Sequence, residues 1–146
     1  MQKVITKNEQ ETFNFGLKLG KKIRQRTVFA LIGDLGAGKT KLIQGLAKGL
    51  GVKERVNSPT FNILKIYKIN KTKNTNKDTE IFCHIDAYRL KSEKDLIALG
   101  VQELFGQPEV VTAIEWAEKV KKIWPKGTEV IKIKSLRKNI REIKIK

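Results

Sequence analysis

The chain has 146 residues and carries 31 Lys and Arg against 15 Asp and Glu, a formal net charge of +16. That length suits one domain, 1–146, with a real core, and 40% apolar residues with six Phe and two Trp exclude a disordered chain. No apolar run approaches the roughly 18 residues of a membrane span, and the first residues lack a signal-peptide apolar core, so a cytoplasmic protein without membrane attachment is expected. A single His and a single Cys leave no zinc set. Excess cation is also the footprint of nucleic-acid binding. Here 25 of the 31 cations are Lys, spread along the whole chain. Base recognition favours Arg, so the pattern is read first as a solvated surface and second as a face for RNA or an acidic partner.

In chain order, residues 3–6 read as a short edge strand. Asn8 to about Arg24 reads as a helix, with Asn8 as cap and Glu11 closing a capping box. Phe13, Leu17, Gly20 and Ile23 are its expected inner face. Thr27 to Ile32 is a continuous apolar run, the mark of a buried parallel strand. A glycine loop follows over 33–40. A second helix runs over about 39–50, with Leu42, Ile43, Leu46, Ala47 and Leu50 at helical spacing. Pro59 stops any helix in the loop 55–60, and alternation predicts a strand over 61–69. The polar, Lys- and Asn-rich stretch 70–79 reads as an exposed hairpin loop.

Glu80 to Asp86 is a second apolar run ending in a carboxylate, and Cys83 within it reads as a small core residue. Ser92 to Asp95 has the form of a capping box and predicts one helix through about Phe105. Val110 to Trp116 is a third apolar run, ending in Glu115. A short helix is expected over 117–124, stopped by Pro125. Two closing strands over 128–146 should turn near Arg137–Asn139. They would form an antiparallel ribbon whose isoleucines face inward and whose lysines keep an edge soluble. The order of elements predicts an α/β fold: a phosphate-loop NTPase-like three-layer sandwich with a central, mostly parallel sheet.

The loop Gly33-Asp34-Leu35-Gly36-Ala37-Gly38-Lys39-Thr40 completes a phosphate-binding motif between a strand and a helix. Backbone N–H groups of Leu35, Gly36, Ala37, Gly38, Lys39 and Thr40 can wrap phosphates at the positive end of the helix dipole. Lys39 would reach the β- and γ-phosphates, and the Thr40 hydroxyl would hold Mg²⁺. Hydrolysis also needs acids at the C-terminal ends of neighbouring strands, where ligands bind in open α/β sheets. Asp86 and Glu115 both qualify. Either alone passes for an ordinary strand-end acid; both beside a phosphate loop make a candidate site. His84 shares a strand face with Asp86 and reads as a packed, hydrogen-bonded residue. Thr60 stands where switch loops sense the γ-phosphate, and a plain Pro-Thr turn accounts for it equally well.

Four motifs in order strengthen the reading: the loop at 33–40, Ser-Pro-Thr-Phe at 58–61, His-Ile-Asp-Ala-Tyr-Arg-Leu at 84–90, and Ile-Glu-Trp-Ala-Glu at 114–118. Together they resemble the bacterial ATPase family of tRNA threonylcarbamoyladenosine biosynthesis, TsaE or YjeE, over about residues 3–124. The resemblance implies an ATPase binding ATP/ADP and Mg²⁺, weak without its partners, the TsaB and TsaD proteins. That machinery modifies the adenosine beside the anticodon, so contact with tRNA would be weak or indirect. By the same resemblance Glu115 would be the second Mg²⁺ ligand, Asp86 would polarise the attacking water and Thr60 would sense the γ-phosphate. Trp116 would pack beside the site and Thr12 would lie near the adenine.

Other functions fit less well. Asn70-Lys71-Thr72-Lys73 lacks the Asp of a guanine-reading motif, and no Gly of an Asp-x-x-Gly turn follows Asp86. Six Arg and no long insertion leave little for the lid of a small-molecule kinase. A basic nucleic-acid-binding module switched by nucleotide remains the rival from another class.

Overall fold

The computed structural model, which describes residues 1–59, 61–71 and 78–146, bears out the strand–loop–helix unit residue by residue. The strands are β1 (Gln2–Thr6), β2 (Thr27–Ile32), β3 (Leu64–Lys68), β4 (Ile81–Asp86), β5 (Val110–Glu115), β6 (Glu129–Arg137) and β7 (Ile140–Ile145). The helices are α1 (Glu9–Lys22), α2 (Lys39–Leu50), α3 (Lys94–Ala98) and α4 (Val101–Gly106), with a 3₁₀ segment over Ala117–Ile123. The strands form one sheet in the order β1-β7-β6-β2-β5-β4-β3. β2 pairs in parallel with β5 and β6, and β4 in parallel with β5; the outer pairs are antiparallel.

Because side chains alternate along a strand, each central strand feeds two cores. Phe29, Leu31, Phe82, Val111 and Ala113 point to the face covered by α1 and α2. Val28, Ala30, Cys83, Ile85 and Ile114 point to the face covered by α4 and the 3₁₀ segment. The result is the expected three-layer arrangement. Burial pushes the Cys83 thiol up to about 12, in keeping with an inert core residue.

Four expectations need correction. The inner stripe of α1 is Thr12, Gly16 and Gly20, with Phe13 and Leu17 only half-buried. Glycine wins there because α1 meets α2 backbone to backbone. A Cβ at Gly16 would lie 2.2 Å from the Leu42 carbonyl oxygen, and one at Gly45 would lie 2.0 Å from that of Phe13. Backbone at such range cannot yield as a flexible side chain would. Gly45→Ala is therefore expected to destabilise the fold by about 3 kcal/mol, the overpacking range, read as a lower urea midpoint. An unchanged midpoint would show that the helices slide apart freely.

The helix expected over 92–105 is broken. Leu99 ends α3, and Gly100, at φ +74°, turns the chain before α4. The Ser92 hydroxyl accepts only the Lys94 N–H, at 3.3 Å. The strand expected over 61–69 starts late, at Leu64, and leaves Phe61 outside the sheet. Finally, the closing ribbon is no sheet edge: β6 joins β2 and β1 covers β7. Ile131, Ile133 and Ile143 are buried as expected, but part of the lysine face is internally neutralised. Lys3 and Lys144 hydrogen-bond Glu142 and hold its carboxyl down to about 2. Most of the 70–79 loop lies outside the described residues; Thr79 is buried.

Candidate active site

Three parallel strands end side by side at the site. β2 runs into the glycine loop, and β4 and β5 end in Asp86 and Glu115, which face each other as Cα partners. The loop closes on α2 through Gly36 and Gly38, at φ +75° and +101°, a conformation that suits glycine. Gly38 sits at the N-cap of α2 without a side-chain cap, so the first N–H groups of the helix are open to an anion. An open cleft of about 520 Å³ lies over this end of the sheet, lined by the loop, Ser58, Asp86, Glu115 and Trp116.

Lys39 is buried, with 5% of its surface exposed. Its ammonium donates to the carbonyls of Gly33, at 2.5 Å, and Asp34, at 2.8 Å, and sits 4.0 Å from the centre of the Trp116 ring. Desolvation lowers its pKa from the ordinary lysine value, opposed by the charges of Glu115, Glu118, Asp86 and Asp34. Trp116 takes up this position with a left-handed backbone, φ 55°, uncommon away from glycine. Its ring also packs on Tyr88, centroids 4.9 Å apart.

The two carboxylates are held differently. The Thr40 hydroxyl reaches both oxygens of the Glu115 carboxylate, at 3.0 and 3.1 Å. His84 Nε2 lies 2.9 Å from Glu115 Oε1; a carboxylate only accepts, so Nε2 carries the proton. His84 is fully buried, and its Nδ1 has no partner among the described residues. It thus orients Glu115, as the expectation of a packed residue implied. Asp86 instead faces the loop after α2. Ser58 donates to its Oδ2 at 2.7 Å, and the Tyr88 N–H donates to its Oδ1 at 3.0 Å.

Thr12 is buried beneath the loop, its hydroxyl 2.8 Å from that of Thr6 and 3.3 Å from the Asn8 carbonyl oxygen. Its methyl lies 3.8 Å from where a Cβ on Gly38 would stand, so the contact with the loop there is apolar. Leu35 is exposed and Ala37 buried, and the Ala37 N–H donates to the Asp34 carbonyl at 3.1 Å. Thr60 lies outside the described residues. Two site residues escape the motif reading. Ser58 was seen only as part of a loop motif. Arg141, on β7, reaches the glycine loop and donates to the Gly36 carbonyl at 3.3 Å.

The donor set fits magnesium. A hydroxyl and a carboxylate are hard oxygen ligands, and magnesium takes its remaining oxygens from phosphate and water. Among the described residues no group of three His, Cys, Asp or Glu is gathered that would hold a metal unaided.

The family profile described as "Threonylcarbamoyl adenosine biosynthesis protein TsaE" matches residues 6–143. The chain belongs to the TsaE family. It is 35% identical over 142 residues to the tRNA threonylcarbamoyladenosine biosynthesis protein TsaE of Treponema pallidum, covering 97% of both chains. With the protein of the same name from Bacillus subtilis it shares 39% identity over 116 residues, 80% of this chain and 66% of that one. The crystal structure of Bacillus subtilis YdiB superposes with a TM-score of 0.73 at 31% identity, over 97% of this chain and 82% of that one. The fold and the family expected from the motifs therefore both stand. Among the described residues no helix is long and apolar enough to cross a membrane.

Proposed function

We propose that this TsaE-family chain binds ATP with magnesium and hydrolyses it to ADP in support of threonylcarbamoyl transfer to tRNA, working with a TsaB–TsaD-type pair. The observation that carries the reading is the hydroxyl of Thr40 held on the Glu115 carboxylate, with Asp86 in register beside it. A phosphate loop whose helix-opening Thr already meets a strand-end acid is arranged for a triphosphate rather than for a bare anion. The ADP form would keep the same loop contacts.

When ATP enters, the N–H groups of residues 35–40 take its phosphates, and Lys39 exchanges the Gly33 and Asp34 carbonyls for β- and γ-oxygens. Thr40 and Glu115 would hold the magnesium ion, which supplies positive charge toward the developing phosphate charge. His84 keeps the Glu115 carboxylate aimed at Thr40. Asp86 accepts a hydrogen bond from the water that attacks the γ-phosphorus, orienting its lone pair in line with the bond to the β–γ bridging oxygen. That bond breaks, ADP leaves with the electron pair, and the water's proton passes to phosphate or solvent. Trp116 shields the Lys39 stem from water.

Titration of the full chain with ATP, with and without Mg²⁺, tests the reading; no binding in either would overturn it. Thr40→Val removes the hydroxyl at nearly constant volume. It is expected to keep most nucleotide affinity and to lose the gain that Mg²⁺ brings. An intact magnesium effect would take the metal away from Thr40.

A further inference from the structure

One surface is built for contact and plays no part in nucleotide binding. Phe61 stands 95% exposed, and Ile66, Leu99 and Ile97 are 49%, 54% and 42% exposed. An open groove of about 660 Å³ runs between β3 and α4, lined among others by Phe61, Leu64, Ile66, Leu99 and Leu104. The break at Gly100 is what presents Leu99 there. Grouped apolar side chains of this size on a strongly charged chain mark an interaction site.

The groove lies along an open strand edge. β3 is the last strand of the sheet and pairs only with β4 among the described residues. The Asp86 N–H donates to the Ile63 carbonyl, and the Ile69 N–H to the Glu80 carbonyl, 2.9 and 2.8 Å. Bonded pairs thus fall at 63 and 69, and by the two-residue alternation also at 65 and 67. Leu64 and Ile66 then turn their N–H and C=O groups outward, while beyond Lys68 the edge is closed by the bridge of Ile69 to Val52 and the Asn70 N–H on the Gly51 carbonyl. An added strand would find backbone partners there and set alternate side chains into the groove.

Charge selects the occupant. The exposed cations of β3 are Lys65 and Lys68, with no acid on the strand; among the described residues the one acid of the groove wall is Glu103, across the groove on α4. A second copy pairing edge to edge would bring these lysines together between two chains of +16 each. We propose that the open edge of β3 and its groove dock an extended segment of a partner protein that carries carboxylates and apolar side chains, with Phe61 as the anchor. The seat adjoins the active site. Ile63, in the groove wall, accepts the Asp86 N–H, and Ser58, three residues before Phe61, donates to the Asp86 carboxylate. Occupation of the groove therefore bears on Asp86 through two hydrogen bonds.

The inference rests on the proposed function only for its probe, a purified TsaB–TsaD-type pair from the same organism. Binding of the pair by the full chain is compared with that of Phe61→Ser/Leu99→Ser and of Lys65→Glu/Lys68→Glu. All substituted side chains are exposed, so the melting temperature and ATP affinity should stay unchanged. Both variants are expected to bind the pair at least about tenfold more weakly, the first as loss of an apolar anchor and the second as loss of charge attraction. Stimulation of hydrolysis by the pair should fall with it, while hydrolysis by the chain alone does not. Unchanged binding in the apolar variant overturns the docking site and leaves the proposed function standing. Tighter binding in the Glu variant overturns the acidic character of the partner. No binding by the unaltered chain overturns both the docking site and the partnership. Concentration-dependent dimers in sedimentation, lost in the apolar variant, would assign the groove to a second copy instead.

Discussion

Lys39→Ala is expected to weaken ATP binding by on the order of 100-fold, roughly 3 kcal/mol, the range for removing one partner of a buried charge contact. In the proposed reading the ammonium is the loop's cation for the phosphates, and it is already desolvated, which strengthens its attraction to anionic oxygens. Alanine also empties the space under Trp116, so a second variant separates charge from packing. Lys39→Met keeps a flexible apolar stem against the indole and should lose affinity nearly as severely. Arginine is no substitute, because a planar fork replaces the compact ammonium seated between two carbonyls. Calorimetric titration reads the result. Affinity retained in the methionine variant would show that Lys39 serves to brace the loop through Gly33 and Asp34 and not to hold phosphate.

The parts of this site that could be read from the chain are those whose determinants are local. β2, the glycine loop and α2 sit where expected because apolar run, glycines and helical spacing agree over adjacent residues. Asp86 and Glu115 were found for a similar reason, since each ends a strand of its own. Their different hydrogen-bond settings were not visible in spacing. It depends on register between β4 and β5, which sets both acids side by side, and on Thr40 reaching Glu115 while Ser58 reaches Asp86.

Arg141 shows the limit most clearly. It lies 105 residues from Gly36 along the chain and arrives only because β6 enters the sheet beside β2 and carries β7 with it. Nothing in the alternation of the closing strands tells an interior ribbon from an edge one. The α1 stripe was misread for a related reason. Phe13 and Leu17 are the more apolar residues, but shape decided the contact, and glycine lets two backbones touch. The helix expected from the capping box at Ser92 was carried through Gly100, whose left-handed backbone turns the chain between α3 and α4.

Asp86→Ala is expected to leave ATP affinity within about twofold and to lower hydrolysis about 100-fold or more, the contribution of a positioned base. Affinity should survive because the proposed phosphate contacts come from the loop, Lys39 and Thr40, with none assigned to Asp86. Its own hydrogen bonds run to Ser58 and to the Tyr88 N–H, so truncation could also loosen the turn that follows β4. Asp86→Asn guards against that reading. The amide oxygen can still accept the Tyr88 N–H and close the same turn, but the negative charge that draws a proton from water is gone. A rate as low in asparagine as in alanine places the effect on charge. Recovery in asparagine places it on the turn. Both rates are measured under saturating ATP with the partner pair present, and normal turnover in the alanine variant would show that water is oriented by another group.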